Sequence, residues 1–325
     1  MFYVHSKTTK TSRYQWTLDL QGSVTRNHRP LENGWIGIIQ FCSLDGTPQS
    51  GILSGFARQG INVSATFNER RKMDSNQEST PKAALVTGAS RGIGRAIAFD
   101  LAAAGIAVVV NYFQHREDAE AVVRAIENKG GRALEYQADV SNQKAVDAMF
   151  RTIDERLGRL DILVNNAGIG PRIESITAIS DETWRRTLAV NLDGAFFCLR
   201  AAIPRLRAVG RGRVVNISSG AAITGGAIGA HYAASKAGLL ALTAKAAREL
   251  ARDRISVNAV LPSIIETDML DEIARGAELR ENLRTTFPIG RFGRPEEVAQ
   301  IVRFLCLDAP DYLTGEFIRV HGGRL

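Results

Sequence analysis

From Lys82 to the C-terminus, short apolar runs rich in β-branched residues alternate with Ala-rich amphipathic stretches. The runs predict strands over residues 83–87, 107–111, 133–137, 162–165, 213–217, 256–261 and 317–321. Val108-Val109-Val110 and Ile162-Leu163-Val164 have no polar face, as expected of parallel strands covered on both sides. The stretches between them predict helices over 93–104, 117–128, 143–157, 181–207, 232–252 and 295–307. Strand and helix in strict turn give an α/β fold, a doubly wound parallel seven-stranded sheet with helices on both faces.

Residues 1–80 show no sustained period and are broken by Gly, Asn, Ser and Thr, so they are expected to form a poorly ordered N-terminal extension before a domain at 81–325. Within it, 35–41 is apolar enough for a short strand or turn but has no evident partner nearby. The first twenty residues are Ser/Thr-rich and nearly acid-free, yet they lack a strong amphipathic Arg helix and a signal-peptide core. Met73 opens a polar lead into the first strand, so translation is expected to start there and the preceding residues to reflect a mis-set start. N-terminal sequencing of native protein that found Met1 would overturn this.

Charge changes the picture little. Of the net +7, residues 1–72 carry nine basic and four acidic side chains, or +5, which leaves +2 for the remainder. A domain so close to neutral gives no reason to expect a nucleic-acid partner. Hydrophobic residues make up 45% of the 325, and no uncharged apolar run reaches the ~20 residues of a membrane span. Cys42, Cys198 and Cys306 are widely separated and suggest neither metal site nor disulfide, so a reducing cytoplasm is the expected compartment. Cys198 and Trp184 are expected in the core, and His231 is expected to be structural.

The candidate chemistry begins where the first strand meets a helix, at Thr87-Gly88-Ala89-Ser90-Arg91-Gly92-Ile93-Gly94. Gly88 suits the tight turn, Gly92 lets backbone approach a pyrophosphate, and Gly94 lets the helix pack on the strand. A carboxylate at the end of the second strand would accept the ribose 2′-OH of NAD, but Tyr112 and Phe113 stand there. Arg91 and Arg116 could instead pair with a 2′-phosphate, which favours NADP(H) over NAD(H). Further on, Tyr232 and Lys236 share one helix face four residues apart, so an ammonium could lower the phenol's pKa and make it a usable acid for a carbonyl oxygen. Ser218 and Ser219 follow a strand at its carboxyl end, where a hydroxyl can polarise that carbonyl.

With these motifs, the Asn165-Asn166-Ala167-Gly168 run, Asn191 and Tyr232-Ala233-Ala234-Ser235-Lys236, residues 82–325 resemble a classical short-chain dehydrogenase/reductase, a Rossmann fold. The resemblance implies Tyr232 as general acid/base, Lys236 on the nicotinamide ribose, Ser219 on the substrate carbonyl and Asn191 holding a relay water. It also implies that Asp139 contacts adenine, that Asn165, Ala167 and Gly168 line the cofactor site, and that Thr267 reaches the carboxamide. Ser90, Ile93, Val140, Pro262 and Ile265 join the expected cofactor contacts. Residues 264–269 and 288–293 are similar to those of 3-oxoacyl-[acyl-carrier-protein] reductases of fatty acid biosynthesis, and glucose and polyol dehydrogenases share these runs. The expected substrate is a small carbonyl or alcohol, with an acyl carrier protein as a candidate partner and a homotetramer as the expected assembly. Arg211, Arg213, Arg252 and Arg254 could then form a basic docking rim at the site mouth. Ser263 stands where the family has Gly, and His321 where it has Asp. A nucleotide sensor without catalysis is the reading from another class, opposed by the retained tyrosine, lysine, serine and asparagine. Enoyl reductases of the family usually have six residues between tyrosine and lysine, and this chain has three.

Overall fold

The computed structural model describes residues 81–273 and 277–324, together with the backbone of five short strands within the first 53 residues. The chain divides into two units, 1–80 and 81–325.

In the larger unit, β1 (Ala83–Val86), β2 (Ala107–Tyr112), β3 (Ala133–Gln137), β4 (Ile162–Asn165), β5 (Arg213–Ile217), β6 (Ser256–Pro262) and β7 (Phe317–Val320) form one parallel sheet. Its order is β7-β6-β5-β4-β1-β2-β3. The helices are α1 (Gly92–Ala103), α2 (Arg116–Glu127), α3 (Gln143–Leu157), α4 (Asp181–Leu188), α5 (Gly194–Ala208), α6 (Ala221–Thr224), α7 (Ala230–Leu250), α8 (Asp268–Ile273), α9 (Ala277–Thr285) and α10 (Pro295–Arg303). Alternation along the strands explains the two layers of helix. Ala84, Val86, Val108 and Val110 pack with α1, α2 and α10 on one face, while Ala83, Leu85, Ala107 and Val109 pack with α3, α5 and α7 on the other. Central strands are buried on both sides, which is why they read as unbroken apolar runs; the edge strand β3 is only half-buried.

Every predicted strand is found within one residue of its expected bounds. The expected single helix over 181–207 is instead α4, a π-helical turn at Ala189–Asp193, and α5. The wider turn carries Val190 and Asn191 inward, whereas α4 itself stays at the surface and buries only Thr187. Trp184 on α4 is therefore 39% exposed and not the core residue expected, while Cys198 on α5 is fully buried as expected. The pattern did not show α6, α8 and α9, which are short and lie after β5 and β6.

Within the first unit, Phe2–His5, Gln15–Leu18 and Val24–Arg26 pair antiparallel, and Gly37–Cys42 pairs with Pro48–Leu53. The apolar run at 35–41 thus has a partner close by, contrary to the reading of the sequence. Pairing there rests on backbone hydrogen bonds to Pro48-Gln49-Ser50-Gly51-Ile52-Leu53, too polar a segment to show a strand pattern. Met73 and the rest of residues 1–80 lie outside the described residues.

The sheet order reverses between β1 and β4, and the crevice of an open α/β sheet forms at the carboxyl ends of the strands at such a point. Among the described residues, no helix is long and apolar enough to cross a membrane, and no cluster of His, Cys, Asp and Glu could hold a metal ion.

Candidate active site

A cleft of about 940 Å³ opens along this reversal. Gly88, Ser90, Arg91, Gly92 and Ile93 line it from the β1–α1 turn, Tyr112 from β2, and Asp139 and Val140 from the turn after β3. Ala167 and Gly168 follow β4, Ser219 follows β5, Tyr232 and Lys236 come from α7, and Pro262, Ile265 and Thr267 come from the end of β6 and beyond.

The turn can exist only with glycine. Gly88 has φ +61°, and a Cβ on it would come within 2.9 Å of the Ala167 backbone. A Cβ on Gly94 would lie 2.3 Å from the Gly88 carbonyl oxygen, so this glycine seats α1 against the turn and does not itself line the cleft. The Asn166 amide donates to the carbonyls of Thr87 and Gly88, both at 2.9 Å, and pins the turn to the end of β4. Unlike α3 and α4, capped by Asn142 and Ser180, α1 has neither a side-chain cap nor an acid in its first turn. Its first N–H groups and positive dipole end are left for an anion, as a dinucleotide pyrophosphate requires.

At the other end, Tyr232 and Lys236 are both buried on α7. The Ser219 hydroxyl lies close enough to the phenol to lower its pKa, and its Oγ accepts from the Ala221 N–H at 3.2 Å, which fixes it at the start of α6. Ser218 points elsewhere, donating to the Lys236 carbonyl at 2.9 Å. Lys236 Nζ donates to the Ile217 carbonyl at 2.8 Å and lies 5.8 Å from the centre of the tyrosine ring. Gly168 faces this amine, and a Cβ there would be 3.3 Å from both Lys236 Nζ and Asn191 Oδ1. The opening beside Lys236 and the uncapped α1 terminus together fit a dinucleotide laid across the crevice.

Electrostatics departs from the expectation for the tyrosine. Burial holds its pKa above the ordinary 10, with the Ser219 hydrogen bond working the other way. Burial also pushes the Lys236 ammonium down to about 8. In the polypeptide alone, desolvation thus outweighs the lowering expected from the nearby ammonium, which is engaged by the Ile217 carbonyl.

Other expected residues stand apart from the cleft wall. Asn165 lies below it, donating to Asn216 Oδ1 at 2.9 Å, while Asn216 donates to Thr243 Oγ1 at 2.8 Å; this chain of bonds ties β4 and β5 to α7. Asn166, not singled out from the sequence, lines the cleft in its place. The Asn191 side chain is spent on the Ile169 backbone, accepting from N–H at 2.8 Å and donating to C=O at 2.9 Å, and on Ser235 Oγ at 3.0 Å. It braces the loop after β4 against α7. Arg116, at the start of α2, reaches back to the Tyr112 hydroxyl at the end of β2 at 3.2 Å and does not line the cleft, so Arg91 alone of the two expected cations does. Arg91 is paired across the cleft with Asp268 at 3.0 Å.

The proposed docking rim is at the wrong end of the sheet. Arg213 begins β5, and Arg211 and Arg254 lie just before β5 and β6, all three bound to Asp311, so this group occupies the amino ends of the strands. Arg252 lies beside Arg254 in the turn that closes α7, and none of the four lines the cleft. His231 is buried with Nε2 3.0 Å from the Pro171 carbonyl oxygen, a structural contact as expected.

Comparison with known proteins agrees with this geometry. The profile of the family described as enoyl-(acyl carrier protein) reductase matches residues 88–324. A 3-oxoacyl-[acyl-carrier-protein] reductase FabG of Staphylococcus aureus is 43% identical over 242 residues, covering 74% of this chain and 97% of that protein. A 3-oxoacyl-[acyl-carrier-protein] reductase of Synechocystis sp. is 42% identical over 247 residues, covering 76% and 98%. A crystal structure from Agrobacterium tumefaciens, described as that of a candidate gluconate dehydrogenase, superposes with a TM-score of 0.72 at 34% identity and covers 75% of this chain and 96% of its own. The chain belongs to the short-chain dehydrogenase/reductase family and is an oxidoreductase.

Proposed function

We propose that the protein reduces the ketone of a 3-oxoacyl thioester borne by an acyl carrier protein to a secondary alcohol, using NADPH. One observation carries the reading: Ser219, Tyr232 and Lys236 meet at one end of a cleft whose floor is the uncapped α1 terminus. The nicotinamide cofactor of this family, when bound, exchanges hydride with the substrate carbon. The chain's own residues handle the oxygen. Tyr232, kept protonated by burial, is in the form that donates to a carbonyl oxygen, and Ser219 can donate to the same atom. The Lys236 ammonium, protonated below about pH 8, can stabilise the phenolate left behind. Asn191 keeps the loop after β4 against α7, so Lys236 and Gly168 stay in register.

Preference for NADPH is supported by Tyr112 at the end of β2, where no carboxylate could accept a 2′-OH, and by Arg91 in the same cleft. An acyl group is favoured over a polyol because the cleft is lined by Ile223, Ile228, Met269, Leu279 and Leu283, of which Ile228 and Met269 pack with Tyr232. The likeness to the Agrobacterium structure favours a second reading, a polyol or sugar-acid dehydrogenase. Three residues between Tyr232 and Lys236 favour 3-oxo over enoyl reduction despite the description of the matching profile. A homotetramer completes the proposal.

The test is a panel of 3-oxoacyl and enoyl thioesters, gluconate, glucose and simple ketones, each with NADPH and NADH. Greatest kcat/KM on a 3-oxoacyl thioester with NADPH is expected. Faster turnover of gluconate or glucose would select the second reading, and cofactor binding with no turnover at all would point to a sensor.

A further inference from the structure

Arg186 lies outside every motif that marks the site, yet it lines the cleft toward the end away from Tyr232. Its neighbour Arg185 makes an exposed pair with Asp181 on the same helix. Arg186 instead reaches across to the turn after β3. Nη1 donates to Ser141 Oγ at 2.7 Å and Nη2 to Asp139 Oδ2 at 2.9 Å. The guanidinium carbon stands 5.8 Å from the centre of the Phe113 ring, in the loop after β2. Phe113 is 49% exposed, a large apolar ring left in water beside the fully covered Tyr112.

These two segments, after β2 and after β3, flank the adenosine half of a dinucleotide in a doubly wound sheet. A planar cation and an aromatic face together at that place are surfaces on which a purine stacks. Asp139 holds the guanidinium in one plane and already neutralises its charge, and Ser141 occupies its second nitrogen. What remains for a ligand is the flat face.

We infer that Arg186 is a cofactor-binding residue whose guanidinium face packs on the adenine ring, with Phe113 as the neighbouring wall. The inference rests on the dinucleotide reading of the cleft and adds to it which residue reads the base. Because the charge is engaged by Asp139, the contribution is to the base and not to a 2′-phosphate, so NADH and NADPH share it alike.

The test is direct titration of NADPH, NADH and reduced nicotinamide mononucleotide, which has no adenine, into the parent protein and into Arg186→Ala and Arg186→Lys. Lysine keeps the charge opposite Asp139 but has no planar face. Both variants are expected to bind NADPH and NADH about 10-fold more weakly, to the same degree, and the mononucleotide as the parent does. Parent-like dinucleotide binding by Arg186→Lys would overturn the inference, since the residue would then act only through Asp139. So would a loss confined to NADPH, or an equal loss for the mononucleotide. Failure of the parent itself to bind either dinucleotide would instead bring down the reading of the cleft on which the inference stands.

Discussion

Opposite ends of the same strands carry two clusters of titratable side chains, and the structure treats them in contrary ways. At the amino ends, Asp311 accepts from Arg213 and Arg211 and pairs with Arg254, and these contacts, the Arg213 hydrogen bond foremost, pull its carboxyl down to about 2. At the carboxyl ends, Tyr232 and Lys236 are buried with no carboxylate partner among the described residues, and desolvation moves the phenol up and the ammonium down to about 8. One cluster is charged, three cations sharing a single carboxylate. The other takes an ammonium out of water, at a cost in stability that a purely structural cluster would avoid, and keeps the phenol neutral beside it.

The largest test of this contrast is Tyr232→Phe, which leaves the ring and removes the proton. A fall of about 10³-fold in kcat/KM for the best ketone is expected, with a melting temperature close to that of the parent. A variant that retained the parent rate would erase the distinction between the two rims. Next comes Lys236→Met. The folded pKa of Lys236, about 8, lies below its unfolded value of ~10.4, so between these pH values the unfolded state holds more protons and stability rises with pH. Below pH 8 the buried ammonium therefore weighs on the fold. The methionine variant is expected to lose activity yet be more stable at pH 7 by on the order of 2 kcal/mol, an advantage that shrinks as pH approaches 10. Thermal melts of both proteins from pH 7 to 10 would show a constant gap if the amine were not held at a cost.

Ser219→Ala should lower kcat about 10²-fold, as loss of one donor to a developing oxyanion does, with little change in stability. At the other rim, Asp311→Asn should do the reverse. Arg213 is 5% exposed, and loss of its carboxylate partner is expected to cost about 2 kcal/mol in stability with kcat/KM unchanged. The sign with pH follows from a depressed carboxyl. The contribution is complete above the unfolded pKa of ~4 and disappears as pH falls toward the folded value of about 2, so parent and variant melts should converge in that window.

The sequence made one rim far easier to read than the other. Tyr232, Lys236 and Ser219 were legible because helix spacing and the strand end fix their side-chain directions, and the glycine turn because only glycine tolerates that backbone. Asn165 and Asn166 were not separable, since a single step along the end of β4 decides which side chain reaches the cleft and which the Asn216 network. Arg211, Arg213 and Arg254 read as part of a basic docking rim because their partner, Asp311, is some sixty to a hundred residues away in sequence. The π-helical turn that aims Asn191 has no spacing signature of its own, and the phenol's raised pKa depends on burial that no motif records.

The finest distinction lies between adjacent serines. Ser218 and Ser219 share the end of β5, but Ser218 is buried and donates to the Lys236 carbonyl within α7, whereas Ser219 faces the phenol. Ser218→Ala removes one buried hydrogen bond and leaves a helical carbonyl that can still accept within the helix, so a loss of about 1 kcal/mol is expected. Since that bond is one of those seating α7 against β5, kcat should fall no more than about threefold, through small displacement of Tyr232. A fall as deep as that of Ser219→Ala would mean that the first serine, not the second, meets the substrate oxygen. It would also mean that the hydrogen bond to the helix opens during the reaction, which steady-state rates and melts of the two single variants and the double variant would reveal as strong non-additivity.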